Sequence, residues 1–191
     1  MDKANNRRRD SSKYQAIMVA TRELVEERGI RGLNLKLIAS QAKVSRNVLY
    51  NWWEGEISQI VEDALLPKVS EWPLPDNGSF KEDIEELLER SIEAVHKPNV
   101  LKGFLFLAAE AVKDTNRLDR TSRHFRAPYA KLVHQIIKNA EKRGEINATM
   151  DAKTIAQVMS GSVLQFAISR SLGRRQAKRV LSDIVCKLVA K

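Results

Sequence analysis

Apolar side chains return every three or four residues along most of this chain, and no stretch shows the strict alternation that a half-buried strand needs. That period leaves helix packed on helix as the way to bury so many one-sided faces. Between Ser12 and Arg28 the face is Ile17, Ala20, Leu24 and Val25. Gly29 then ends the run, where a left-handed residue would cap free carbonyls with Ile30 as the hydrophobic contact beyond it. Further helices are expected near Phe80 to His96, Val100 to Lys113, Ser122 to Arg143, Ala152 to Ser171 and Arg175 to Ala190. Glu82 and Asp83 suit the positive end of the helix that starts at Phe80, and Pro98 stops it. Two prolines and an Asp-Asn-Gly turn make Trp72 to Ser79, WPLPDNGS, the clearest linker. The expectation is an all-α fold of about nine helices.

Composition narrows the function. The 191 residues carry 33 Lys and Arg against 24 Asp and Glu, a net charge of +9, which favours an anionic partner such as nucleic acid. The charge is blocked: residues 57 to 100 are acidic, and the segments on either side are basic. The single cysteine, Cys186, leaves no internal disulfide framework and no four-cysteine zinc site, which points to a reducing cytoplasm. The longest apolar run, Phe104 to Val112, is interrupted by Glu110 and falls far short of the roughly 20 residues that span a bilayer. No membrane helix is expected, and the charged N-terminus lacks the apolar core of a secretion signal.

The informative stretch is Ala39 to Glu56, ASQAKVSRNVLYNWWEGE. Asn34 can cap a short helix from Leu35 to Ala42 whose inner face is Ile38, Ala39 and Ala42. Lys43 and Val44 make a tight turn, and Ser45 is placed to cap a second short helix from Arg46 to about Trp52 with its hydroxyl. With Val44 and Leu49 packing on Ile38 and Ala39, this is a helix-turn-helix. In that motif the second helix enters the major groove with its N-terminal residues on the base edges, here Arg46, Asn47 and Val48. Trp53 is expected in the core between the first helix and the hairpin, with Tyr14 beside it.

These residues resemble the TetR family of bacterial transcriptional regulators. The match runs through EERGIRGLNLKLIASQAKVSRNVLYNWWEGE and into ISQIVEDAL, carried by Gly32, Ile38, Ala39, Ala42, Val44, Ser45, Leu49, Tyr50 and Trp53. After Leu65 the likeness is one of helix number alone. The resemblance implies a helix-turn-helix domain over residues 1–56, with 1–11 a disordered basic arm, and a helical ligand-binding and dimerisation domain over 57–191. It further implies a homodimer on a palindromic double-stranded DNA operator and a small-molecule inducer. Carried across position by position, it makes Lys36, Ser45, Arg46, Asn47, Val48, Tyr50, Asn51 and Trp52 the DNA-facing set. The chemistry agrees for several: Arg46 can donate twice to guanine, Asn47 can read adenine and Val48 can meet a thymine methyl. Tyr50 and Lys36 suit phosphates. Lys43 stands where the family often has glycine, Asn47 and Val48 where Gly and Thr are common, Trp52 where histidine is frequent, and Glu56 where a phosphate-binding lysine is frequent. Gly55 can still offer a backbone N–H at the following helix start.

Other readings compete. The hairpin could be a helical pair with no DNA role, and Arg7, Arg8 and Arg9 could be a DNA-reaching arm or a solvated tail. Glu93 and His96 share a spacing with half of a di-iron site, but the second half is missing, and His124 and His134 have no metal-binding context. No nucleophile elbow or phosphate-cradling loop is present, so no cofactor, metal or catalytic role is expected. Phe104, Leu107, Phe125, Tyr129, Met159 and Phe166, with Val112 and Leu164, are read either as lining of an inducer cavity or as ordinary core. The 152–171 helix, with Ser160, Gly161 and Ser162, and the 175–190 helix, with Val180, Leu181, Ile184, Val185 and Leu188, are the expected dimer surface, unless that stripe packs within one chain. Arg123, Arg126, Arg170, Arg174 and Arg175 are an anion-binding set or a solvated face. Against the dimeric repressor stands a second reading, a TetR-like ligand- or protein-binding module in which DNA binding is secondary or lost.

Overall fold

Helical periodicity becomes nine α-helices among the described residues of the computed structural model, 11–113, 125–147 and 150–189. They are α1 (Ser11–Arg28), α2 (Leu35–Gln41), α3 (Arg46–Trp53), α4 (Ile57–Leu65), α5 (Phe80–Val95), α6 (Val100–Lys113), α7 (Ala127–Lys142), α8 (Ala152–Ser169) and α9 (Arg174–Val189). Short 3-10 turns lie at Ile30–Gly32 and Val69–Glu71, and no strand occurs among the described residues. Of the helix expected from Ser122, Phe125 onward is described, with α-helix from Ala127; Ser122, Arg123 and His124, the arm Arg7 to Arg9 and Ala190 lie outside the described residues. The helix expected to reach Ser171 stops at Ser169, because Arg170 turns left-handed at φ 50. No helix among the described residues is long and apolar enough to cross a membrane.

The chain forms two compact units. The first runs to Leu66 and takes in α6 from Lys102 onward. The boundary expected after Glu56 falls at the start of α4, inside this unit. Its core gathers Ile17, Leu24 and Val25 from α1, Ile38 from α2, Leu49 and Trp53 from α3, Ile60 and Val61 from α4, and Leu107 from α6. Gly103 brings α6 close to the end of α4, since a Cβ there would lie 3.1 Å from the Leu65 Cβ. Arg22 Nε donates to the Ala64 carbonyl at 2.8 Å and ties α1 to the same end.

Local chemistry sets the ends of α1 and α2. Gly29 has φ 70 and ψ 163, an extended positive-φ conformation open to glycine rather than the left-handed helical one expected there. Asn34 caps α2 as expected, its side-chain oxygen accepting the Leu37 N–H at 2.9 Å. Beyond α2, the Val44 N–H reaches back to the Ala39 carbonyl at 3.0 Å and the Lys43 N–H to Ser40 at 3.2 Å. This is the Schellman closure, and it requires a left-handed residue at Lys43, where φ is 53.

In the second unit α5 lies against α7, α8 and α9, while α8 packs on both α7 and α9. Tyr129 on α7 is buried, and its hydroxyl lies 3.1 Å from Ser91 Oγ on α5, which itself donates to the Leu87 carbonyl. Desolvation pushes the Tyr129 phenol up to about 12. Around the N-terminus of α5, fully buried Asp83 accepts the Asn77 N–H at 2.6 Å and an Arg143 N–H at 3.2 Å. Arg143 also pairs with Glu145, whose other oxygen accepts the Phe80 N–H at 2.5 Å. The Arg143 guanidinium, and then that N–H, hold Glu145 below the usual carboxylate range. The proline linker is thus fastened to α5 and to the end of α7 by hydrogen bonds to charged groups, which are stronger than neutral ones.

One buried group in the first unit works against stability. Glu62 on α4 is 6% exposed, and its Oε1 meets no hydrogen-bond donor among the described residues. Burial, with the Asp63 carboxylate adding to it, pushes Glu62 from 4.5 up to about 7. The folded chain therefore holds this proton more tightly than the unfolded one. The stability it contributes is fully present below about pH 4.5 and is lost as pH rises through about 7. In urea titrations Glu62→Gln is expected to stabilise the chain by about 2 kcal/mol at pH 8 and to change little at pH 4.5; an equal effect at both pH values would contradict this. Lys43→Gly should raise stability by about 1 kcal/mol by relieving the left-handed conformation, whereas Lys43→Val should lower the thermal midpoint.

Candidate nucleic-acid interface

The eight residues of α3 are divided by what they pack against. Leu49 and Trp53, one turn apart, are buried. Val48 and Trp52 flank them, half-buried and packed against the same core. Arg46, Asn47, Tyr50 and Asn51 face outward, as do Ser45 just before the helix and Lys36 on α2. Six of the eight positions expected to face DNA are therefore open to a partner, while Val48 and Trp52 lie at the boundary between core and surface.

Trp53 fixes this division. Its indole Nε1 donates to Asp63 Oδ2 on α4 at 2.8 Å, and its ring stacks on Tyr14 of α1 with centroids 5.9 Å apart. Trp52 meets it edge-on at 5.6 Å. The two neighbouring tryptophans thus serve differently: one joins three helices, and the other covers it while keeping a partly exposed edge.

Ser45 requires a correction. It occupies the N-cap position with extended backbone, and its carbonyl accepts the Val48 N–H at 3.1 Å, but its hydroxyl makes no capping bond. The helix start is held by backbone, and the serine side chain stays on the exposed surface. At the other end, Glu54 is left-handed at φ 54 and Gly55 follows at φ 75. The Glu56 N–H then donates to the Trp53 carbonyl at 2.7 Å, and α4 begins at the next residue. The Tyr50 ring folds over Gly55, where an added Cβ would lie 2.6 Å from Tyr50 Cε1. Neither this contact nor the Asp63 partner of Trp53 was signalled by residue spacing, because both depend on how α3 and α4 meet.

The six residues considered for an inducer cavity do not belong to one unit. Leu107 is buried in the core of the first unit and Phe104 packs against it. In the second unit Phe125, half-buried, stacks on Tyr129 with centroids 5.7 Å apart. Met159 is fully buried there, and Phe166 is half-buried. The stripe on α9 also divides. Leu181 and Val185 are buried within the chain, whereas Ile184 is 42% exposed and Val180 and Leu188 are half-buried beside it. On α8 Ile168 is exposed, and a Cβ at Gly161 would meet nothing within 4 Å. Arg126, Arg170, Arg174 and Arg175 are exposed. His96 Nδ1 lies 2.7 Å from the Ile92 carbonyl, to which it donates, so that ring nitrogen is occupied within its own helix.

Comparison with known proteins agrees with this architecture. Residues 17–55 match the family model described as bacterial regulatory proteins, tetR family, and residues 74–184 match that of the tetracyclin repressor-like C-terminal domain. The chain is 22% identical over 171 residues to the uncharacterized HTH-type transcriptional regulator YdeS of Bacillus subtilis, covering 85% of this chain and 82% of that one. It is 24% identical over 156 residues to the HTH-type transcriptional regulator SrpR of Pseudomonas putida, covering 78% and 70%. Among solved structures, GusR of Salmonella enterica superposes with a TM-score of 0.70 at 17% identity, covering 95% of this chain and 97% of that one. A TetR transcription regulator from Haloarcula marismortui gives 0.69 at 15% identity, covering 94% and 99%. With both halves matched by family models, the chain belongs to the TetR family and is a DNA-binding transcriptional regulator.

Proposed function

We propose that this regulator is a cytoplasmic homodimeric repressor, released from a palindromic operator by a small-molecule inducer. The observation that carries the reading is the partition of α3: Leu49 and Trp53 are locked inward, while Arg46 and Asn47 project from the N-terminal turn that meets base edges in this motif. Arg46 reads a guanine, Asn47 contributes an adenine contact, and Tyr50, Lys36 and the Ser45 hydroxyl hold phosphates. Val48 and Trp52 contribute less, through the edges that packing leaves exposed.

The dimer forms through the outward faces of α8 and α9, supported by the exposed Ile168 and Ile184 and by the open Gly161. Two such subunits make a four-helix bundle, the usual way to bury paired amphipathic helices. The recognition helices then address half-sites about one DNA turn apart, roughly 34 to 36 Å. The inducer binds the second unit, around the stacked Phe125 and Tyr129 pair with Met159 and Phe166. It acts by preferring a subunit arrangement that no longer matches the half-site spacing, and its effect is limited to its differential affinity for the two states.

Selection of bound duplexes by the purified chain tests specificity and symmetry together. Affinity should fall steeply with added salt while one palindrome stays preferred; salt-insensitive binding, or none, would favour a ligand- or protein-binding module. Arg46→Ala should relax preference at one base position by about 1 to 3 kcal/mol, leaving the remaining profile intact. Tyr50→Phe should weaken all sequences alike, by about 1 kcal/mol. A profile that Arg46→Ala leaves unchanged would remove that residue from base reading.

A further inference from the structure

Gly55 lies between α3 and α4 with its backbone at φ 75. A Cβ added to it would lie 2.6 Å from Tyr50 Cε1, 2.7 Å from Cδ1 and 3.5 Å from Cζ. The positive φ alone would favour glycine, but it does not account for the space. Gly29, Gly78 and Gly144 also have positive φ, and an added Cβ at each would meet nothing within 4 Å. Among these four, only at Gly55 is the volume of the missing side chain filled by another residue's ring.

That ring belongs to a residue of the exposed face of α3. Tyr50 is 52% exposed, so its ring has room to swing, and a side chain at position 55 would displace the ring rather than break the core. An exposed tyrosine without such a seat spreads over rotamers and loses that freedom when it binds. A ring already lying over a bare Cα presents its hydroxyl in one direction before DNA arrives.

We propose that Gly55 is a positioning residue for operator binding, whose bare Cα seats the Tyr50 ring and so aims the phenol hydroxyl at a DNA phosphate. This rests on the reading of α3 as the DNA-facing helix. It also gives the Glu54-Gly55 turn a role beyond connecting two helices: the turn that ends the recognition helix supports one of its contacts.

Gly55→Ala would mix displacement of the ring with backbone strain. Gly55→Asn separates them, because asparagine tolerates positive φ yet carries a Cβ. Gly55→Asn is expected to keep a near-wild-type thermal midpoint and to weaken binding to the preferred palindrome and to an unrelated duplex by the same factor, about threefold to tenfold. The dependence of log affinity on log salt should not change, since no cation is lost. The decisive comparison uses Tyr50→Phe, which keeps the ring and its collision but removes the hydroxyl: adding Gly55→Asn to it should cause little further loss. Wild-type affinity in Gly55→Asn would overturn the proposal. So would a loss that persists undiminished in the Tyr50→Phe background, because it would make Gly55 a structural element of the turn rather than a guide for the hydroxyl. If the wild-type chain shows no salt-dependent DNA binding, the reading of α3 fails and the proposal falls with it.

Discussion

The burial of Trp53 is the interaction on which the functional half of this chain depends. An eight-residue helix such as α3 cannot persist in water by itself, because the cost of nucleating it is not recovered over so few turns. Its stability must come from packing, and Trp53 supplies a large share. The ring is 2% exposed, stacks on Tyr14 from α1 and donates its one N–H to Asp63 on α4. A buried indole without that acceptor would lose a hydrogen bond that water had supplied. Asp63 therefore does more than complete a contact: it lets a tryptophan be buried at a three-helix junction and sets the rotation of α3 about its axis. That rotation decides which residues face outward.

Each end of α3 is delimited by a backbone that turns left-handed. Lys43 closes α2 two residues before Ser45, and Glu54 with Gly55 closes α3 before α4. Left-handed geometry at Lys43 and Glu54 is strained for residues with a Cβ, by about 1 kcal/mol or somewhat more each. The strain persists because the Schellman bonds behind Lys43 and the Glu56 N–H bond to Trp53 leave the chain little choice of path. The short helix is thus held by one deep anchor and two rigid corners, while Arg46, Asn47 and Asn51 stay exposed.

Much of this architecture was legible in the sequence, and the reasons are local. Helical periodicity marked the elements, Asn34 has a side chain that caps within three residues, and the order of small and apolar residues from Ile38 to Trp53 allowed one compact hairpin. Most of what escaped is tertiary, with one local exception. The hydroxyl of Ser45 was expected to cap α3, but the helix start is held by its carbonyl instead. Phe104 and Leu107 look like neighbours of the later aromatics in an apolar list, yet they belong to the core around Trp53 because α6 from Lys102 onward packs with the first unit. The pairing of Arg143 with Asp83 joins residues 60 apart, and no spacing rule connects them.

On the proposed reading of α3, the same partition lets the fold and the DNA sequence vary separately. Positions that hold α3 in place, Leu49 and Trp53, touch three other helices, so a change there is felt throughout the first unit. Arg46, Asn47 and Asn51 are exposed, and substitution at such positions usually shifts stability by no more than about 0.5 kcal/mol. On the proposed reading of α3, the preferred DNA sequence can therefore change by substitutions that the scaffold hardly registers. Departures from the family pattern at Asn47 and Val48 fall on this permissive face or at its edge, while Leu49, Tyr50 and Trp53 keep the pattern beside them. Trp52 is the intermediate case: half-buried against Trp53, it is tied to the anchor by one edge and open by the other. A change there alters packing and surface together.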